Sequence, residues 1–160
     1  MSDNIIVGMA DYKIGKAPDK LMTIGLGSCV GICIYDLAKK IGGMAHIMLP
    51  SSQGKKGDNP AKYADTCIPL MIGDLLKMGV NKAGLKAKIA GGASMFSFAG
   101  NSPLMKIGEN NAERVKLEIK KAGIPLVSYD VGGNFGRTII LDLTTGDLLI
   151  RTINHGQKVI

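Results

Sequence analysis

The strongest constraint on this fold is a pair of apolar stretches joined by one short polar turn. Val30–Tyr35 and Ile41–Met48 flank Asp36–Lys40, and each carries the β-branched and small apolar residues of a buried strand. A hairpin with a four-residue loop, residues 37–40, pairs Asp36 with Ile41, so that the numbers of facing residues sum to 77. Gly31 then faces His46, and Cys29 faces Met48. Side chains alternate along a strand, so Cys29 and His46 project from one face as diagonal neighbours, with Cα atoms about 7–8 Å apart. An odd-numbered loop would separate them.

The rest of the chain reads around that hairpin. Ile5–Met9 is predicted as a short strand, followed by an irregular segment within residues 1–20. Met22–Leu26 alternates as a strand. Residues 50–59 are a loop by composition. Asn59 and Pro60 read as the cap and first turn of a helix whose apolar stripe is Ala64, Ile68, Met71, Leu75 and Met78. Pro69 is expected to kink that helix, and Gly79 to end it. Lys86–Ala90 is a strand entering the Gly91-Gly92 turn. Asn110 and Glu113 resemble a capping box opening a helix with stripe Ala112, Val115, Ile119 and Ala122, stopped by Gly123 and Pro125. Leu126–Asp130, Thr138–Leu143 and Leu148–Ile153 are strands. Length sets a single domain over 1–160, and this order of elements predicts a mixed α/β sandwich and not a doubly wound parallel sheet.

Composition removes several functional classes. Hydrophobic residues are 46% and charged residues 21% of the chain, which excludes intrinsic disorder. No apolar run reaches the roughly 18 residues of a membrane span. The start of the chain does not look like a secretory signal, so the expected compartment is the cytoplasm. The net charge is +7, most of it lysine scattered without tracts, with no Trp to stack bases. This fits solvation and weak steering toward an acidic partner better than nucleic-acid binding. Two histidines and three unpaired cysteines suggest free thiols and no metal site.

Cys29 stands among Gly25, Gly27 and Gly31. Glycines admit close backbone approach and can leave N–H groups free to stabilise a thiolate or an oxyanion. Together with His46 on the same face, it forms the minimal unit of thiol hydrolysis. The residues alone leave a second reading open, because a lone strand cysteine also serves as a small core hydrophobe. Cys33 and Cys67 fit that core role well, and His155 reads as a surface residue. Gly27-Ser-Cys-Val-Gly31 matches a nucleophile elbow, but strand rather than helix follows it. Gly132-Gly-Asn-Phe-Gly-Arg137 lacks dinucleotide-fingerprint spacing and reads as a turn before a strand.

From Leu21 to Arg151 the chain resembles the CheD family of chemoreceptor glutamine deamidases. The resemblance is carried by Leu26-Gly-Ser-Cys-Val30 and Gly42-Gly-Met-Ala-His-Ile-Met-Leu-Pro50. It continues through Tyr63-Ala-Asp65, Lys88-Ile-Ala-Gly-Gly-Ala-Ser-Met95, Ile107-Gly-Glu-Asn110, Asp130-Val-Gly-Gly133 and Gly136-Arg137. It implies a fold similar to deamidating bacterial toxins and hydrolysis of receptor glutamine side chains to glutamate with release of ammonia. It further implies a catalytic set Cys29, His46 and Thr23, no metal or cofactor, and two partners. These are the cytoplasmic helices of a chemoreceptor and a CheC-type phosphatase. Gly27 and Ser28 are candidates for the oxyanion site, and Lys55 and Lys56 for docking on an acidic receptor rod. A non-enzymatic adaptor that adjusts the phosphatase is the alternative.

Overall fold

The computed structural model describes residues 3–55, 57–95 and 106–160; Lys56 lies outside them. Ten strands form two five-stranded mixed sheets. The strands are β1 (Asn4–Ile6), β2 (Asp11–Lys16), β3 (Lys20–Leu26), β4 (Val30–Asp36), β5 (Ile41–Ile47), β6 (Lys86–Gly91), β7 (Leu126–Val131), β8 (Arg137–Asp142), β9 (Leu148–Arg151) and β10 (Gln157–Val159). The helices are α1 (Ala64–Lys77) and α2 (Ile107–Lys121). One sheet runs β1-β3-β8-β9-β10 and the other β2-β5-β4-β6-β7.

The burial patterns reveal the layers. Every residue of β4 and β5 is buried, because their sheet is covered on both faces. A strand covered twice needs no polar alternation, which is why Val30–Tyr35 is a continuous apolar run. Val30, Ile32, Ile34, Ala45 and Ile47 pack against Ile68, Met71 and Leu75 of α1 and Val115 and Ile119 of α2. On the opposite side, Cys33, Tyr35 and Met44 pack against Leu21, Ile139, Leu141 and Ile150 of the other sheet. That second sheet alternates buried and half-buried residues along β8, and Ile24 of β3 is 58% exposed. Its outer face therefore meets solvent. The stack is sheet, sheet, helices: the mixed α/β sandwich expected from the order of elements.

The hairpin register is as the arithmetic gives it. Asp36 pairs with Ile41, Gly31 with His46, and Val30 with Ile47. The ladder ends there, so Cys29 sits just outside it, in the layer between the sheets. A Cβ on Gly31 would come within 2.5 Å of Ile139 and 3.1 Å of Leu26, so only hydrogen fits where the sheets come closest.

Several expectations are corrected. The segment expected to be irregular contains β2, an edge strand paired with β5 from Ile41 to His46. Asn59 and Pro60 open a separate 3-10 turn, with the Asn59 side chain accepting from Ala61 N–H; α1 begins only after extended Tyr63. Met78, expected in the core stripe of that helix, is its C-cap and is 46% exposed. Asn110 and Glu113 lie inside α2, which starts at Ile107 without a side-chain cap. The Leu148 strand ends at Arg151, and β10 was not foreseen.

At the end of the sandwich that holds Cys29, Arg137 ties the sheets together. Its Nε donates to Asp130 at 2.9 Å and its Nη1 to the Gly91 carbonyl at 3.3 Å, while Lys158 reaches Asp130 at 2.7 Å. Burial pushes the Asp130 carboxyl up, but hydrogen bonds and charge from Lys158 and Arg137 outweigh it and hold it below the ordinary carboxylate range. A depressed folded pKa means stability that is full above the unfolded carboxylate's value of about 3.9 and lost as pH falls through the folded value. Asp130→Ala strands the buried guanidinium and is expected to cost about 3 kcal/mol in urea unfolding at pH 7. Repeating the titration through acid pH should show the wild type converging on the variant.

Candidate active site

Three elements bring the sequence-predicted residues together. Thr23 comes from β3 in one sheet, His46 from β5 in the other, and Cys29 from the bend between β3 and β4. A one-residue register shift between Thr23 and Leu26 breaks the β3–β8 ladder. Gly25 takes φ +78° there, a conformation that favours glycine. The bulge turns the chain out of one sheet so that residues 27–29 cross to the other.

Thr23 and His46 are both fully buried. Thr23 Oγ1 lies 2.7 Å from His46 Nδ1 and 2.7 Å from the Val7 carbonyl oxygen. A carbonyl only accepts, so the single hydroxyl proton of Thr23 is committed to Val7. Toward the ring the hydroxyl must accept, which places the imidazole proton on Nδ1. The neutral ring therefore keeps its lone pair on Nε2. That nitrogen is buried and hydrogen-bonds to no described residue, the Cys29 thiol included. Burial holds the imidazole below its ordinary pKa, which keeps Nε2 a free base at neutral pH.

Of the three cysteines, Cys29 alone keeps surface, 9% of it; Cys33 and Cys67 have none. Burial pushes Cys33 and Cys67 up to about 12. It also raises Cys29, against the pull of its own backbone N–H. The free protein thus holds a neutral thiol beside a neutral imidazole, and not a preformed thiolate–imidazolium pair. A neutral thiol and a neutral imidazole can act as nucleophile and base only where the proton passes from Sγ to Nε2 during attack.

The loop around the thiol is fixed from behind. The Cys29 carbonyl accepts from Gly92 N–H at 2.9 Å, and the Gly27 carbonyl from Ala93 N–H at 2.9 Å. Gly91, at φ +118°, has no room for a Cβ beside the Cys29 carbonyl. No described residue accepts from Ser28 or Cys29 N–H. Gly27, where a Cβ would crowd Met95 at 3.1 Å, uses its own N–H on the Gly25 carbonyl at 3.1 Å, so it is the weakest of the oxyanion candidates. His155 is exposed and stacks on Phe135 at 4.1 Å, as its surface reading requires. Asn111, buried behind the Cys29 loop, was not singled out in the sequence. Among the described residues, no three His, Cys, Asp or Glu side chains converge as a metal site. None of the helices is long and apolar enough to cross a membrane.

Comparison with known proteins gives this arrangement a family. The family model described as CheD chemotactic sensory transduction matches residues 48–152. A Desulfitobacterium hafniense protein named "Probable chemoreceptor glutamine deamidase CheD" is 60% identical over 160 residues, covering all of both chains. A Syntrophomonas wolfei protein of the same name is 56% identical, again over the whole of both. Thr23, Cys29 and His46 precede the family-model match and lie within the full-length similarity. A Bacillus licheniformis hypothetical protein of known structure, YfiH, is 17% identical with TM-score 0.49, over 78% of this chain and 50% of that one.

Thr23→Val removes the acceptor for Nδ1–H and orphans the Val7 carbonyl, at an expected cost of about 1–3 kcal/mol. Nitrogen-15 NMR of the ring should show a single Nδ1–H tautomer in the wild type and a mixture in the variant. Iodoacetamide on the native protein should label Cys29 alone, its rate rising with pH to a midpoint above that of a free thiol. Labelling of Cys33 or Cys67 at a comparable rate would contradict the burial described.

Proposed function

The chain belongs to the CheD family, and we propose that it hydrolyses selected glutamine side chains of chemoreceptors to glutamate, with Cys29 as nucleophile and His46 as proton carrier. The observation that carries this reading is the buried, unpaired Nε2 of a ring whose other nitrogen is held by Thr23, on the face that carries Cys29. A structural histidine would satisfy both nitrogens.

The reaction follows from those positions. Substrate binding closes Cys29 Sγ on the side-chain amide carbon. The S–C bond forms as the thiol proton passes to Nε2, and the amide oxygen becomes an oxyanion. Cys29 N–H, with Ser28 N–H, stabilises that charge. His46 then protonates the nitrogen, the C–N bond breaks and ammonia leaves, giving a thioester. Water attacks the thioester, losing its proton to Nε2. The C–S bond breaks, the sulfur recovers the proton, and glutamate remains. Thr23 accepts from Nδ1–H throughout, keeping the ring in its working tautomer. A hydroxyl stabilises the imidazolium less than a carboxylate would, which suits a ring that must return its proton twice per turnover. Binding of a CheC-type phosphatase and a cytoplasmic location rest on the family resemblance.

The test is mass spectrometry of a receptor cytoplasmic fragment incubated with the protein. Site-specific gain of the Gln-to-Glu mass difference is expected for the wild type. Conversion should fall to background for Cys29→Ala and for His46→Ala. Conversion that survives Cys29→Ala would remove the proposed nucleophile. A wild type inert on several receptors yet bound to a CheC-type phosphatase would favour the adaptor reading.

A further inference from the structure

Behind the nucleophile loop lies a polar side chain that the reaction above does not use. Asn111, in the second turn of α2, is fully buried. Its Nδ2 donates to the Ser28 carbonyl at 2.9 Å and to the Met48 carbonyl at 3.0 Å. Both partners only accept, so the amide orientation is fixed: NH2 faces the two carbonyls and Oδ1 faces away. Oδ1 meets no donor among the described residues. A buried amide that satisfies two backbone acceptors while leaving its own oxygen unpaired calls for an explanation.

The two carbonyls are not arbitrary. The β4–β5 ladder ends at Val30↔Ile47, and beyond it the strands part. Met48 N–H turns away to the Lys62 carbonyl at 2.8 Å, and the Ser28 bend leads back to β3. Asn111 bridges the parted ends, one residue before Cys29 and two after His46. A trans peptide holds its C=O and N–H antiparallel. Anchoring the Ser28 carbonyl therefore fixes the opposite direction for the N–H of the same peptide plane, which belongs to Cys29. No described residue accepts from that N–H.

Helix α2 reaches this place because Gly108, one turn before Asn111, packs with no side chain against the backbone of Gly92 and Ala93. Gly92 in turn donates to the Cys29 carbonyl. Both carbonyls flanking the Cys29 α-carbon are thus held, one by Gly92 and one by Asn111.

We propose that Asn111 is a positioning residue for the deamidation: through the Ser28 carbonyl it aims Cys29 N–H at the developing oxyanion, and through the Met48 carbonyl it holds the His46 strand to the nucleophile loop. The inference rests on the reaction proposed above. It separates Asn111 from a merely structural amide, because its effect falls on the charged intermediate and not on the thiol.

The experiment compares wild type with Asn111→Asp, which keeps the shape but replaces both donors by acceptors. Turnover of the receptor fragment is measured beside alkylation of Cys29 by iodoacetamide, a displacement that develops no oxyanion. The expected result is a kcat lower by about 100-fold, the effect of losing one oxyanion donor, with KM and the alkylation rate little changed. A folded variant with wild-type kcat, or one whose alkylation falls in step with kcat, overturns the proposal. Where Asn111→Asp does not fold, nitrogen-15-labelled wild type supplies the test. A peptide bearing glutamate γ-semialdehyde adds the Cys29 thiol across its aldehyde, forming the S–C bond and a hemithioacetal oxygen. The Cys29 N–H proton should then move downfield more than any other amide, and an unmoved Cys29 N–H overturns the proposal. A wild type that fails to deamidate any receptor sinks the underlying reaction instead, and the role of Asn111 with it.

Discussion

The molecule is organised around one buried hydrogen bond between sheets, donated by His46 on β5 to Thr23 on β3, at 2.7 Å. Two polar groups with no water around them must find each other, because an unpaired one in that layer is costly. Their pairing ties β3 of one sheet to β5 of the other. Gly31, directly opposite His46, gives up its side chain so that Ile139 and Leu26 can approach. The β3 bulge carries the chain out of one sheet and into the other within a few residues. Cys29 is delivered by that crossing, so the position of the thiol and the packing of the sandwich share one set of constraints.

Against this tight pairing, the other ring nitrogen is left alone. The fold satisfies Nδ1 through a chain of fixed polarity, from imidazole to hydroxyl to the Val7 carbonyl, and offers Nε2 no partner among the described residues. Stability would favour filling that position. A buried ring nitrogen held neutral and without a partner among the described residues is the feature on which the proposed proton transfer rests. The neutral thiol is the matching half: raised by burial, it remains unionised until an acceptor is brought to it.

Much of this was legible in the sequence, for a physical reason. Side chains alternate with period two and the turn after Asp36 is short, so the β4–β5 register could be counted, and with it the face shared by Cys29 and His46. The mixed α/β sandwich followed from the succession of strands and helices; which face the helices cover did not. What escaped was governed by partners far along the chain. β2 reads as polar and glycine-containing because it is an edge strand, half of it facing solvent. β10 is three exposed residues that become a strand only against β9. Asn110 and Glu113 imitate a cap although α2 had already begun. Thr23 is a β-branched strand residue by pattern, and only the family resemblance marked it. Asn111 was invisible because the carbonyls it serves lie 83 and 63 residues away.

The Val7 carbonyl has a consequence of its own. It is main chain, so the side chain at position 7 does not decide which ring nitrogen is basic; the docking of the strand does. β1 pairs in parallel with β3, and a parallel neighbour must be reached by a detour, here through β2 in the other sheet. The base acquires its working tautomer only when that detour has closed and both sheets stand in place. The tautomer of the ring is therefore a property of the assembled sandwich and of no single element, and whatever chemistry depends on it must await both sheets.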